Sequence, residues 1–403
     1  MENPRKNIKF EALLECVFLE EEQRKRIIAS GNRAMAPNLS RVAAALDEYY
    51  ALYQLNLYCA YLSYKNIVHH EAVPYQEEDF PLIPAVIQLI EKGQLQHPAI
   101  LIYNQIRLLF LSLEKEKQAT AAQEKQLQDC MDAIKFYEEK KQAKVCIEMY
   151  ALLNNFCIKK INAGVEIYKI YFWQLNCNIL RLEEEMQVKG IVYYDPNLFR
   201  NLVLIAISMK DHSVFKGLNT EGENSVQNGL EWADWFIKKN RKVLTNSHLG
   251  KIYLQYCSAY LEFERANFAR AYKIFQNRMR VQHTFTNLSM KALHLKILYE
   301  MNIRKATVLE YDKIEIRQVL DAFRKLVKYE TKMRQAVSYQ LQIYIDFLNK
   351  YRKLLHFFYR YYARMGNQKT AKFLESKQQL KLFIEEKHYA HNDWFLEKLE
   401  GIS

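Results

Sequence analysis

Three groups of side chains in this chain have the types that chemistry uses. His388, His391 and Asp393 stand near the C-terminus, with the two imidazoles three residues apart. On a helix that spacing puts both rings on one face, as a metal site needs, but no third or fourth ligand is evident. A solvated terminal segment is the plainer expectation. His69-His70-Glu71 is weaker, because adjacent side chains on a helix diverge; imidazoles near the last carbonyls of a helix account for it. Glu183-Glu184-Glu185 offers carboxylates for acid–base work. Consecutive residues lie about 100° apart around a helix, so three in a row do not converge on a substrate, and a solvated face is expected.

No glycine-rich phosphate loop, nucleophile elbow or metalloprotease histidine pair occurs. No catalytic, cofactor-binding or metal-binding residue is therefore assigned. No cofactor is expected, and the expectation is of a protein that is not an enzyme.

Charge says more about partners. Residues 1–236 hold 26 Lys and Arg against 31 Asp and Glu, a net of −5, whereas residues 237–403 hold 32 against 15, a net of +17. The overall +12 thus comes entirely from the C-terminal part. Its densest block is Arg317, Arg324, Lys325, Lys328, Lys332, Arg334, Lys350, Arg352, Lys353, Arg360 and Arg364, against only Asp321, Glu330 and Asp346. Such a field attracts nucleic acid, an acidic protein segment or an anionic membrane surface, and equally serves as a solubilising helix surface. Tyrosines such as Tyr339, Tyr344, Tyr351, Tyr359, Tyr361 and Tyr362 are interleaved with it; at helical spacing most are expected to pack inward rather than stack on bases.

The elements that position these groups read as helices throughout. Only 10 glycines and 7 prolines punctuate 403 residues, and no proline follows Pro196. Half the residues are hydrophobic, too apolar for disorder. The longest wholly apolar run, 202–207, is six residues, against roughly twenty for a membrane span. Phe10 to Leu19 is interrupted by Glu11 and Glu15, so it makes a poor signal peptide. Seven scattered cysteines, never two residues apart, fit buried free thiols in a reducing cytoplasm.

Periodicity places a first helix near Phe10 and a long one from an N-cap at Ser40 through Tyr49, Leu57 and Tyr64. Prolines at 74, 81, 84 and 98 break the chain around helices at Ile83–Lys92 and Ala99–Leu113. Leu127, Met131, Ile134 and Phe136 continue the pattern, and Tyr150–Ile179 reads as a hairpin that turns at Gly164. Asp195-Pro196 starts a helix to about Lys210. The longest expected loop is 211–229, and the expected division of the chain falls there. Residues 1–210 are the irregular N-terminal part and 230–403 the basic, more regular C-terminal part.

The clearest unit is Ile252–Phe275. Stripes at Ile252, Tyr256, Ala259, Tyr260 and Phe263, then at Phe268, Ala271, Tyr272, Phe275 and Met279, flank a polar break at Arg265-Ala266-Asn267. Leu261, Phe263, Phe268 and Ala271 are echoed by Ile297, Tyr299, Ile303 and Ala306, 35 or 36 residues on, close to the period of tetratricopeptide (TPR) repeats. Further helices are expected at Ile314–Tyr329, Lys332–Asn349, Arg352–Met365, Thr370–Glu386 and Asn392–Lys398.

Beyond generic TPR, the chain resembles a group of uncharacterised helical-repeat proteins of Bacteroidetes-type bacteria. The resemblance rests on Leu46-Asp47-Glu48-Tyr49-Tyr50, on Phe156-Cys157-Ile158 with Lys160-Ile161-Asn162 and Gly164, and on Trp394-Phe395-Leu396-Glu397-Lys398. Residues 211–229 depart from that pattern as an insertion. What the resemblance implies is a TPR-like fold without a known activity. Together these readings lead to an all-α, TPR-like α-solenoid of antiparallel helix hairpins. Its expected function is a non-enzymatic protein-binding scaffold with an unidentified protein or peptide partner. Nucleic-acid or other polyanion binding through the basic C-terminal half is the alternative.

Overall fold

The computed structural model describes residues 36–67, 77–115, 121–139, 143–188, 195–219, 225–276, 284–304, 310–333, 339–362, 371–386 and 391–402. Expectations for Phe10, His69-His70-Glu71, Cys16, Ala306, Arg334, Arg364 and His388 lie outside the described residues. Fifteen helices are described: α1 (Ala36–Ile67), α2 (Ile83–Glu91), α3 (Pro98–Lys115), α4 (Ala121–Glu138) and α5 (Ala143–Asn162). They continue with α6 (Tyr168–Val188), α7 (Pro196–Ser208), α8 (Gly229–Leu244), α9 (His248–Glu264) and α10 (Phe268–Gln276). The last five are α11 (Thr284–Arg304), α12 (Glu310–Met333), α13 (Tyr339–Phe357), α14 (Ala371–Glu385) and α15 (Asn392–Gly401). The all-α class read from the sequence is thus the class observed. No described helix is long and apolar enough to cross a membrane.

The chain divides into two compact units, formed by the described parts of 1–60 with 76–108 and of 61–75 with 109–403. In the first, Leu55, Cys59, Ala99, Ile100 and Ile106 are fully buried, and the rings of Tyr58 and Phe80 meet edge-on at 5.2 Å. Helix α1 begins at Ala36, with Pro37 in its first turn, where a missing N–H costs nothing. Ser40 is therefore inside the helix and is not its cap.

The second unit holds the helical hairpins, and local chemistry explains their ends. Asp195 caps α7 by accepting from Asn197 N at 2.8 Å, Asn228 caps α8 from Glu231 N at 3.0 Å, and Ser247 caps α9 from Gly250 N at 2.9 Å. Helix α5 stops at Gly164, whose φ of 86° suits a residue without Cβ, with Val165 N bonded to Lys160 O at 3.1 Å. The α9–α10 turn has the same bonding, Asn267 N to Glu262 O at 2.8 Å, around Ala266 at φ 58°. There an alanine takes the left-handed position at a steric cost. Ala259 and Ala271 are fully buried in this hairpin, as the small residues of a crossing should be.

Residues 211–229 contain a 3₁₀ turn (Ser213–Phe215) and a two-residue antiparallel pairing, β1 (Leu218–Asn219) with β2 (Ser225–Val226). Phe215 and Trp232 close over Trp173, with Trp173 and Trp232 centroids 4.5 Å apart, so this segment is anchored to α6 and α8. At Gly229 a Cβ would lie 2.1 Å from Ala206 O, so glycine lets α8 start against the end of α7.

From α4 onward each helix packs on the next along the chain. Packing between second neighbours joins α7 to α9, α9 to α11, α11 to α13 and α13 to α15. Successive odd helices begin at Ala143, Pro196, His248, Thr284 and Tyr339, so the step of 36 residues from α9 to α11 is the one near a TPR period.

Two other expectations are corrected. Phe136 is 64% exposed, and Tyr137 instead continues the buried stripe of Leu127, Met131 and Ile134, because a step of two residues leaves a helical face. The break expected between Asn349 and Arg352 is absent: α13 runs through it and ends in a π turn at Phe358–Tyr362. Lys350 sits mid-helix with its ammonium 2.7 Å from Asp346, one turn back, so its polarity marks an internal ion pair rather than a turn.

Candidate functional site

Basic residues on α12 form a stripe. Arg317, Arg324, Lys325, Lys328 and Lys332 are all exposed and recur at helical spacing, opposite the buried Ile316, Leu320, Phe323 and Val327. Asp321 lies within the stripe, 3.7 Å from Arg324. On α13 and its π turn, Arg352, Lys353 and Arg360 are exposed, and the Lys353 ammonium lies 3.2 Å from the centre of the Phe383 ring. Lys350 does not belong with them: it is 1% exposed, bonded to Asp346 and, at 2.7 Å, to Asn392 Oδ1. Tyr351 is buried as expected and donates to Leu295 O at 2.8 Å.

A second arrangement lines a cleft. A partly open cleft of about 340 Å³ is lined by side chains from α5, α7, α9, α11 and α13, with the residue before α15. Asn162 comes from α5, Arg200 and Leu204 from α7, and Tyr256 and Tyr260 from α9. Helix α11 supplies Thr286, Ser289, Leu293 and Lys296, one per turn along a single face; Ile343, Tyr344 and His391 complete the wall. Every element contributing to it is odd-numbered.

At one end the N-terminal turns of three helices are tied together. Tyr253 Oη donates to Asn197 Oδ1 at 3.0 Å and lies 3.3 Å from Thr286 Oγ1. The Arg200 guanidinium donates to Tyr253 Oη at 3.3 Å and Thr286 Oγ1 at 3.4 Å, and it lies 5.0 Å from the centre of the Tyr253 ring. The positive ends of α7, α9 and α11 add to this field. Ser289 and Tyr344 hydroxyls meet at 2.5 Å, bridging α11 to α13.

At the other end stands Lys296, 5% exposed, its ammonium donating to His391 Nδ1 at 3.2 Å and lying 5.2 Å from the Trp394 ring. Burial lowers its pKa from 10.5 to about 8, even though Glu264, Glu300 and Glu397 attract it from a distance. None of the three reaches ion-pair distance; Glu300 is held instead by Lys398 at 2.8 Å and by Trp394 Nε1 at 3.2 Å. Burial and the Lys296 charge push the His391 imidazole well below its ordinary pKa, so it is neutral and accepts the ammonium proton. His391 also has φ 92°, a conformation few side chains adopt.

Among the described residues the cleft lining therefore carries Arg200 and Lys296 and no carboxylate, and neither cation forms an ion pair with any of them. A second groove of about 420 Å³, between α4 and α6, differs: its Arg181 is bonded to Glu138 and, at 2.8 Å, to Glu185.

Compared with protein-family models, curated proteins and solved structures, the chain matches none. The residues that carry the resemblance in sequence are in part core. Phe156, Cys157 and Lys160 are at most 2% exposed, and Trp394 and Phe395 are buried.

Of the other sequence candidates, Glu183 is a correction. It is 5% exposed rather than solvated, and burial with the nearby Asp195 charge raises its pKa to about 7; Glu184 and Glu185 are exposed. His391 faces an ammonium, which repels a metal cation, while Asp393 is exposed in the first turn of α15. No group of three or more His, Cys, Asp and Glu suited to a metal ion occurs among the described residues. Arg200 and Lys296 were not singled out by sequence, since no motif links positions so far apart along the chain.

Proposed function

We propose that this protein is a non-enzymatic scaffold of TPR-like helical hairpins that docks a protein partner in the cleft lined by its odd-numbered helices. The observation that carries the reading is the alternation. Helices α5, α7, α9, α11 and α13 each contribute to one cleft, as when stacked helix pairs turn one helix of each pair towards a continuous binding surface. Second-neighbour packing among the odd helices from α7 to α15 supports the same arrangement. The thiols suit a reducing cytoplasm: Cys59, Cys130, Cys146, Cys157 and Cys257 are buried and unbridged, and burial raises the Cys130 pKa to about 12.

Photo-crosslinking in cells tests this reading. A benzophenone amino acid at Leu204, in the cleft, is expected to give a discrete protein adduct, and the same residue at exposed Leu382 on α14 none. A correctly folded Leu204 variant that yields no adduct would rule the docking site out.

The five exposed cations on one face of α12 favour a second reading, polyanion binding outside the cleft. It predicts nucleic-acid affinity that falls steeply with salt and weakens when Arg324, Lys325 and Lys328 are changed together to Gln.

A further inference from the structure

Lys296 poses a physical problem that its surroundings leave open. A buried ammonium is normally retained with a carboxylate in contact, because desolvation otherwise disfavours it. Lys296 is 5% exposed and, among the described residues, its hydrogen bond goes to a neutral imidazole. An ammonium has three N–H donors, so donor capacity remains towards the cleft. Arg200, at the far end, donates only to neutral oxygens: Asn201 Oδ1, Tyr253 Oη and Thr286 Oγ1. The hydroxyls of Ser289 and Tyr344 lie between these ends, with Leu293 and Ile343 as apolar wall.

The spacing is informative too. Thr286, which marks the Arg200 end, and Lys296 are ten residues apart on α11, an axial rise of roughly 15 Å. An extended chain covers that length in about four or five residues. Polar groups at both ends of that length, with Leu293 and Ile343 as apolar wall, suit a single extended strand of chain. The backbone strain at His391 sits where its imidazole meets Lys296, the kind of place where strain accompanies a binding role.

From these observations we infer that the cleft binds an extended acidic peptide segment of the partner, one carboxylate on Lys296 and another on Arg200, with the peptide's apolar atoms against Leu293 and Ile343. The inference rests on the docking reading above and specifies the chemistry of what docks. It assigns the acidic ligand to the cleft rather than to the more numerous cations of α12. Those are solvated and screened, whereas a carboxylate meeting Lys296 interacts at low dielectric with a group already stripped of water.

The test uses the full chain and a fluorescein-labelled hexaglutamate peptide, blocked at both ends, read by anisotropy at low ionic strength. Saturable binding is expected, weakened about tenfold or more by Lys296→Met, as expected for loss of one charge-assisted bond. Leu204→Trp, which fills the cleft and leaves both charges in place, is expected to weaken it as well, so the result does not rest on one variant. Changing Arg324, Lys325 and Lys328 together to Gln should alter affinity by no more than about twofold. If that triple change abolishes binding while Lys296→Met leaves it intact, the assignment is wrong and the α12 face is the anion site. If free glutarate competes as well as the peptide does, the site takes a small dicarboxylate and the peptide inference falls. If hexaglutamate fails to bind a protein whose Leu204 crosslink still captures a partner, the docking reading survives and the acidic segment does not. Loss of both results would remove the two together.

Discussion

Two lysines in the larger unit are almost equally hidden yet differently provided for. Lys350 on α13 is 1% exposed and has Asp346 and Asn392 Oδ1 each at 2.7 Å. Lys296 on α11 is 5% exposed and has His391 Nδ1 at 3.2 Å and, among the described residues, no carboxylate in contact. The first is a complete internal ion pair that joins α13 to the start of α15. The second is a cation held out of water at the end of a cleft, bonded among the described residues to a neutral imidazole alone. A buried charge that serves the fold comes with its partner, whereas one that awaits a ligand lowers stability until the ligand arrives. The exposed lysines of α12 belong to neither class, because water already solvates them.

The largest consequence concerns the complete pair. Asp346→Asn removes the carboxylate 2.7 Å from the buried Lys350 ammonium, and we expect a loss of roughly 3 kcal/mol or more in denaturant unfolding. A loss below about 1 kcal/mol would erase the distinction between the two lysines. The incomplete site should behave in the opposite way. Lys296→Met replaces a desolvated ammonium with an apolar chain of similar length, and stability at pH 7 should stay level or rise by about 1 kcal/mol.

The pH dependence sharpens this further. The Lys296 pKa is about 8 in the folded protein and ordinarily 10.5, so above pH 8 the folded state releases a proton that the unfolded state keeps. Stability from this group therefore climbs from pH 8 upward, by at most about 1.4 kcal/mol per pH unit, and its full cost is present below pH 8. Buried tyrosines such as Tyr256 and Tyr351, raised well above 10, oppose the trend above pH 10, where only the unfolded state ionises. Between pH 8 and 10 the wild-type curve should rise relative to Lys296→Met; parallel curves would contradict the assignment. The smallest effect is on α12, where Arg324→Gln and Lys328→Gln should each change stability by less than about 0.5 kcal/mol.

How much of this was legible in the sequence depended on how local the cause was. The caps at Asp195 and the stop at Gly164 follow from residues a few positions apart, and the structure has both. The Ile252–Phe275 hairpin was equally readable, because helical spacing and two buried alanines suffice to define it. Ser40 misled because Pro37 starts a helix as well as a serine caps one. Lys350 looked like a surface residue until Asp346, one turn away, was counted as its partner. The cleft was not legible at all. Arg200 and Lys296 lie in helices distant along the chain and His391 just before a third, and packing among α7, α9, α11, α13 and α15 brings them together. Lone charges in polar–apolar alternation read as solvated faces, and so does the run Glu183-Glu184-Glu185, of which the structure buries Glu183 near Asp195.

The most direct measurement is the ionisation of Lys296 itself, followed by NMR of the side-chain carbon next to its amine, with Lys296→Met to assign the signal. The account predicts a pKa near 8 in the free protein. Saturating hexaglutamate should raise it by about one unit or more, as a carboxylate in contact favours the charged form. A value near 10.5 in the free protein, or one that does not move with bound peptide, would contradict it.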